Sequence, residues 1–448
     1  MRVVILSGGS GKRLWPLSNG SRSKVFLRLL QDNYGKEESM IQRIRRQLEA
    51  AGLLGSAVIV THASQTDSIQ NHIGDRIPLL SEPHKRGTFH AVALATAYFH
   101  NSLNLHDDEL IAVIPADMYA EQSFFHLLQQ LPRALKESGA ELGLIGCQPR
   151  SPSSQYGYIV PGKAFTKAPY TPISCFVEKP EESRAAALIA RQALWNCGVF
   201  AFRLGFLVAA LKERELPLDA GSLLARYPLL PVRSIDEEIA EQTRQAIVLP
   251  YDGMWNDLGS WPQLTAQLDS SQIGPGRVSQ SSGGSFLVNE LHCPVHLIDV
   301  PDVIVAASPD GILVASLSNA DAIKQQLPEG DALPWYEEKR WGDVRTLDVV
   351  KAAGGMESWT RKVRMQPGTS TSYHVHARRR KIWTVLSGSG LFIRNGRERK
   401  AVPGTVLDIP CGTKHGMCSD TGMEWMEVQL GEQLTEDDTL RISMTCGS

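Results

Sequence analysis

The chain has 448 residues, 42% of them hydrophobic and 21% charged, with a formal net charge of -2. That length exceeds one ordinary core and predicts two or three domains, while the near-neutral balance argues against a general nucleic-acid or membrane-surface binder. No apolar stretch reaches the length of a bilayer span, no signal-peptide pattern opens the sequence, and the seven cysteines include no CxxC pair, so reduced thiols in a cytoplasmic protein are expected.

In chain order, Val3-Val4-Ile5-Leu6 reads as a short strand buried on both faces. GGSGKRLWPL follows it directly. Gly8, Gly9 and Gly11 allow a tight turn and a close backbone approach, and Lys12 and Arg13 bring positive charge there, a combination suited to phosphate. Lys24 follows near enough to return a second cation to the same edge. Strand-like and helix-like segments then alternate as far as Leu264, which predicts crossover units: a Rossmann-like α/β domain with a mainly parallel mixed sheet and helices on both faces. Ligands of such sheets bind beyond the carboxyl ends of the strands, where Asp117 would also lie, after the IAVIPA strand.

The Gly- and Ser-rich stretch SSQIGPGRVSQSSGGS breaks this pattern. Residues 1–265 are therefore assigned to the α/β domain, 266–335 to a linker with a small β-rich connecting module, and 336–448 to a third domain. In that last part short strands separated by Gly, Pro and Asn-Gly turns predict a small antiparallel barrel or jelly roll.

GGSGKRLWPLS, EPHKRGT, IPADMY, SQYGYI, FVEKP, LWNCGVFAFR and WNDLGSW occur in this order and together resemble the mannose-1-phosphate guanylyltransferase family of sugar-nucleotide pyrophosphorylases. The tryptophan of RLWPLS favours that branch over uridylyl- and thymidylyltransferases. The resemblance covers almost the whole chain, since bifunctional members carry a cupin-type mannose-6-phosphate isomerase domain behind the transferase. It implies attack of a mannose 1-phosphate oxygen on the α-phosphorus of GTP, with Arg13 and Lys24 as catalytic cations and Asp117 and Asp257 as ligands of Mg²⁺. It further implies nucleotide contacts from Gly8, Gly9, Gly11, Lys12, Glu82 and Arg86, and sugar contacts from Gly157, Glu178, Lys179, Asn196 and Gly198, with Lys179 near the sugar phosphate.

Taken alone, Asp117 reads as a turn aspartate, Asp257 as a helix cap, Lys24 as a surface lysine and Asn196 as a turn residue. The chain also departs from the family: Lys12 replaces a threonine, Ser23-Lys24-Val25-Phe26 replaces PKQF, and residues 86–91 replace RNTAPA. These changes leave open a transferase for another nucleotide and sugar pair, or a regulatory relative that binds without turnover.

In the C-terminal part, Gly368, His374, His376 and Gly388 have the spacing of a first cupin motif, and Gly404, Pro410, Gly412 and His415 that of a second. His374, His376 and His415 are candidate ligands for zinc or another divalent metal. Where metal-binding cupins place a glutamate, this chain has Lys381, closing the run Arg378-Arg379-Arg380-Lys381, and His374-Val375-His376 replaces the isomerases' Gln-x-His. Lysine repels a divalent cation, so isomerase activity is expected to be absent or very weak. The barrel is expected to serve structure or homo-oligomer assembly, with binding of a phosphorylated sugar by the basic run as a further alternative.

Overall fold

The computed structural model describes residues 1–9, 11–163, 168–327, 333–352, 354–435 and 438–445. The chain divides into two compact units, the first comprising Met1–Gly11, Lys24–Thr66 and His72–Asp269 and the second Lys12–Ser23, Asp67–Asn71 and Ser270–Ser448. Among the described residues six cysteines are free thiols, and Cys446 lies outside those residues. No helix among them is long and apolar enough to cross a membrane.

The first unit is built on a nine-stranded sheet. In order of pairing it runs Leu79–Glu82, Ala57–His62, Arg2–Ser7, Leu110–Pro115, Leu194–Arg203, Leu142–Cys147, Ala246–Tyr251, Thr171–Val177 and Tyr158–Pro161, the last also pairing back with Leu194–Arg203. Arg2–Ser7 pairs in parallel with both neighbours, whereas Leu194–Arg203 runs antiparallel to all three strands it pairs with, Tyr158–Pro161 included. The unalternated apolar run is explained by burial on both faces: Val3, Val4 and Ile5 are fully buried, each contributing on the order of 1.5–3 kcal/mol. The helix Met40–Ala50 starts from a capping box between Ser39 and Gln42. The helix Thr88–Ala97 is buried from Phe89 onward and begins at Gly87, whose φ of 87° suits glycine.

Register brings the expected loops to one sheet edge. Leu6 lies opposite Pro115, and the Ala116 amide donates to the Leu6 carbonyl at 2.9 Å, so the glycine turn and Asp117 leave the sheet side by side. Asp257 joins them through a short antiparallel pair, Trp255–Asp257 with Met118–Ala120, in which Asp257 faces Met118.

In the second unit the connecting module pairs Gln272–Ile273, Phe286–Asn289 and Val303–Ser308 in parallel, with Gly311–Ser316 antiparallel at the edge. The following strands form two antiparallel layers. One contains Met356–Met365, Met423–Glu432 and Arg379–Gly388, and the other Gly390–Arg394, His415–Ser419 and Tyr373–His376. Trp383, Trp425, Phe392 and Met417 fill the core between them, as expected for a jelly roll.

One segment departs from the order of the chain. Lys12–Ser23, which carries the whole RLWPLS signature, belongs to the second unit. Its contacts explain why: Ser308 donates to the Pro16 carbonyl at 2.6 Å, Asn19 donates to Asp310 at 2.9 Å, and Arg22 forms a two-pronged pair with Glu290 at 2.8 and 3.0 Å. Trp15 packs so closely on Gly311 that a Cβ there would stand 2.6 Å from the indole.

Candidate active site

Lys24 opens the short turn Lys24–Phe26 and is almost completely buried. Its ammonium lies 2.7 Å from Asp117 Oδ2 and 3.1 Å from Asp257 Oδ1. Burial works against the charge, but the two carboxylates outweigh it and hold Lys24 protonated well above the usual lysine range. Gly11, at φ 63°, makes this placement sterically feasible, since a Cβ there would come within 2.8 Å of the Lys24 amide nitrogen. At Gly259 a Cβ would lie 3.1 Å from both Asp257 oxygens. Asp117 and Asp257 are thus a converging pair of oxygen donors that fit a hard divalent ion, in the type of site that binds Mg²⁺ through one or two carboxylates and substrate phosphates.

Gly157, Glu178, Lys179, Asn196 and Gly198 also come together. A register shift between Asn196 and Phe200, with Gly198 at φ 72°, turns the LWNCG strand out of regular pairing. The Asn196 amide is oriented from both ends: its Oδ1 accepts the Gly198 N–H at 3.1 Å and its Nδ2 donates to Asp236 at 3.1 Å. The Asn196 backbone N–H donates to the Gly157 carbonyl at 2.8 Å. A Cβ on Gly157 would lie 2.7 Å from Glu178 Oε2, so glycine is what leaves space for that carboxylate. Lys179 pairs with Glu178, and the Glu178 backbone N–H donates to Glu241 at 3.0 Å. Asp236 is raised above the ordinary aspartate range, by burial first and then by the Glu178 charge. Sequence reasoning missed this aspartate because SIDEE reads as a solvated acidic run, and only the fold brings it to Asn196, 40 residues away. Tyr156 closes the neighbourhood, its ring centroid 4.4 Å from that of Trp195 and 5.9 Å from that of Trp255.

The expected nucleotide residues divide. Gly8 and Gly9 lie in the turn after the first strand, where Gln65 donates to the Gly9 carbonyl at 3.2 Å and a Cβ on Gly8 would sit 3.5 Å from Glu82 Oε2. Glu82 accepts from the Tyr227 hydroxyl at 2.6 Å, and burial pushes its carboxyl up to about 7. Arg86 spends its guanidinium on the carbonyls of Tyr227 and Pro228, clamping that loop. Lys12 and Arg13 form part of the turn Lys12–Leu14 in the second unit, so the nucleotide role of Lys12 and the catalytic role of Arg13 rest on the resemblance alone.

In the barrel, His374, His376 and His415 converge, with one ring nitrogen from each within 4.8 Å of the others. Each Nδ1 faces a backbone carbonyl: Ser372 at 2.8 Å, Asp438 at 3.3 Å and Thr413 at 2.9 Å. The buried Nε2 atoms of His376 and His415 have no hydrogen-bond partner. Carbonyls that orient the outer nitrogen and leave the inner lone pair available fit a metal held by imidazoles. Burial, followed by the charge of Lys381, lowers the protonation range of all three rings, to about 4 for His374. Lys381 lines a cavity with His374 and His376 and pairs with Glu427 at 3.5 Å. Burial alone would raise Glu427, but Lys381, Arg361 and hydrogen bonds from Gln429 and Trp383 bring it down to about 2. The basic run does not act as one patch. Strand alternation turns Arg379 inward to Asp438 and Gln429, at 3.1 and 2.9 Å, and Arg380 outward to Asp408, at 2.8 and 2.9 Å.

A glycine turn beside an ammonium and two carboxylates at one sheet edge, joined to a two-layered barrel with three histidines, defines the class: a nucleotidyltransferase with a cupin domain. Residues 2–271 match the nucleotidyl transferase family and residues 361–429 the cupin domain family. The chain is 30% identical to a mannose-1-phosphate guanylyltransferase of Escherichia coli, over 98% of both chains. It is 28% identical to the alginate biosynthesis protein AlgA of Pseudomonas aeruginosa, over 100% of this chain and 97% of that one. A solved structure named mannose-1-phosphate geranyltransferase, from Thermus thermophilus, matches with a TM-score of 0.61 and 26% identity, covering 72% of this chain and 97% of that one. The chain belongs to the mannose-1-phosphate guanylyltransferase family and is an enzyme of the nucleotidyltransferase class.

Proposed function

We propose that the first unit transfers a guanylyl group from GTP to mannose 1-phosphate. A phosphate oxygen of the sugar phosphate attacks the α-phosphorus in line. The bond from that phosphorus to the bridging oxygen breaks, and pyrophosphate leaves with the electron pair as GDP-mannose forms. The observation that carries this reading is the Lys24 ammonium set between Asp117 and Asp257 at the edge where the glycine turn ends. Asp117 and Asp257 would hold Mg²⁺, which supplies charge neutralisation for the phosphates. Lys24, with Arg13 by resemblance, meets the anionic charge of the α-phosphoryl group. Glu178, Asn196 and Asp236 offer acceptors and one oriented amide to the sugar hydroxyls, the pattern that positions a sugar without reacting with it. The cytoplasm is the proposed setting, on the ground of free thiols.

The barrel, on this reading, contributes structure or assembly and not isomerisation, because Lys381 places an ammonium beside the three imidazoles. The defining experiment crosses GTP, ATP, UTP, CTP and dTTP with several hexose 1-phosphates in Mg²⁺ and measures pyrophosphate release. Turnover concentrated on GTP and mannose 1-phosphate supports the reading. Turnover on another pair corrects the substrates, and none on any pair leaves a non-catalytic binding relative.

A further inference from the structure

Two negative carboxylates side by side would repel each other in an empty site, yet here the Lys24 ammonium pairs with both. That cation belongs to the chain. Lys24 leaves a backbone held against Gly11, its side chain is only 9% exposed, and Asp117 and Asp257 each keep about a third of their side-chain surface exposed, at 34% and 36%. The carboxylates therefore stay open toward solvent while the ammonium covers their inner sides.

We infer that the Lys24 ammonium is a built-in occupant of the divalent-metal position, neutralising Asp117 and Asp257 until a nucleoside triphosphate arrives. This inference rests on the nucleotidyltransferase reading above. A divalent ion approaching the pair alone meets a positive charge already bound at 2.7 and 3.1 Å and must displace it with no new partner to offer. A triphosphate changes the balance, because its oxygens give the ammonium another anion while adding ligands for the metal. Metal and nucleotide should then enter together. Linkage requires that each tighten the other by the same factor. The arrangement also keeps the free protein from holding a metal in a nonproductive complex, and it places Lys24 close to the phosphates when they bind.

The test measures Mn²⁺ binding by electron paramagnetic resonance to the full-length protein, with and without GTP and with no sugar phosphate present, so that no transfer occurs. The site counted is the one lost in Asp257→Asn, which separates it from any ion held by the barrel histidines. The wild-type protein should bind Mn²⁺ weakly alone and at least tenfold more tightly with GTP. Lys24→Met should bind Mn²⁺ alone at least tenfold more tightly than wild type and lose most of the coupling. Equal Mn²⁺ affinity of the wild type with and without bound GTP overturns the inference, even if the variant does not fold. Weaker or unchanged Mn²⁺ binding by a folded Lys24→Met, without nucleotide, overturns it as well. The nucleotide-free comparison does not depend on which base or sugar is used, so a tighter-binding Lys24→Met sustains the inference even if GTP proves to be the wrong nucleotide.

Discussion

Glu82 illustrates how one buried side chain sets a pH dependence. Its carboxyl is raised to about 7 from an ordinary 4.5, so the folded protein holds a proton that the unfolded chain releases earlier. The stability tied to that proton is fully present below about 4.5 and is lost as pH rises toward 7. Glu82→Gln keeps an acceptor for the Tyr227 hydroxyl and removes the titration. Its stability relative to wild type should therefore rise by about 1–3 kcal/mol between pH 4.5 and 7.5, measured by urea unfolding. A difference independent of pH would show that Glu82 titrates in the folded protein as it does in the unfolded chain. At the Asn196 cluster, Asp236→Asn should raise KM for the sugar phosphate about tenfold and leave KM for the nucleotide nearly unchanged, because Asp236 orients the Asn196 amide and stands among the acceptors proposed for the sugar. An equal rise in both KM values would point to general loss of structure.

At the scale of elements, regular strands are the most legible part of the sequence and irregular turns the least. Val3-Val4-Ile5-Leu6, the strand before Asp117 and the barrel strands all fall where their apolar runs put them, because period and burial are local properties. The meeting of Lys24, Asp117 and Asp257 is legible only through ordered motifs, since 233 residues separate Lys24 from Asp257. Trp15 marks the family branch in the sequence, whereas its packing on Gly311 depends on a strand far along the chain. The run from Arg378 to Lys381 reads as one basic patch in the sequence, and strand alternation divides it. Gly11 gives the sharpest test at this scale. Gly11→Ala puts a Cβ into a left-handed turn and against the Lys24 backbone, and should cost about 1–3 kcal/mol while lowering kcat through displacement of the ammonium. An unfolding midpoint and kcat both equal to wild type would contradict that account of the turn.

At the scale of the whole molecule, two folds that each support catalysis elsewhere are joined in one chain, and the residues of their sites favour different outcomes. The first unit retains both carboxylates and the lysine between them, whereas the barrel keeps three histidines but sets the Lys381 charge against them. Interconversion of mannose 6-phosphate and fructose 6-phosphate should accordingly be absent or very weak. Robust isomerisation with one metal per chain, abolished by His376→Ala, would reverse that view of the barrel. The most direct measurement of the central claim compares the wild type with Asp257→Asn for pyrophosphate release from GTP and mannose 1-phosphate in Mg²⁺, with equal folding confirmed by circular dichroism. The wild type should release pyrophosphate in step with GDP-mannose, and the variant should be slower by on the order of 10²-fold or more, since the amide keeps the shape but not the charge. Near-equal rates in the two proteins, or no pyrophosphate from the wild type, would contradict it.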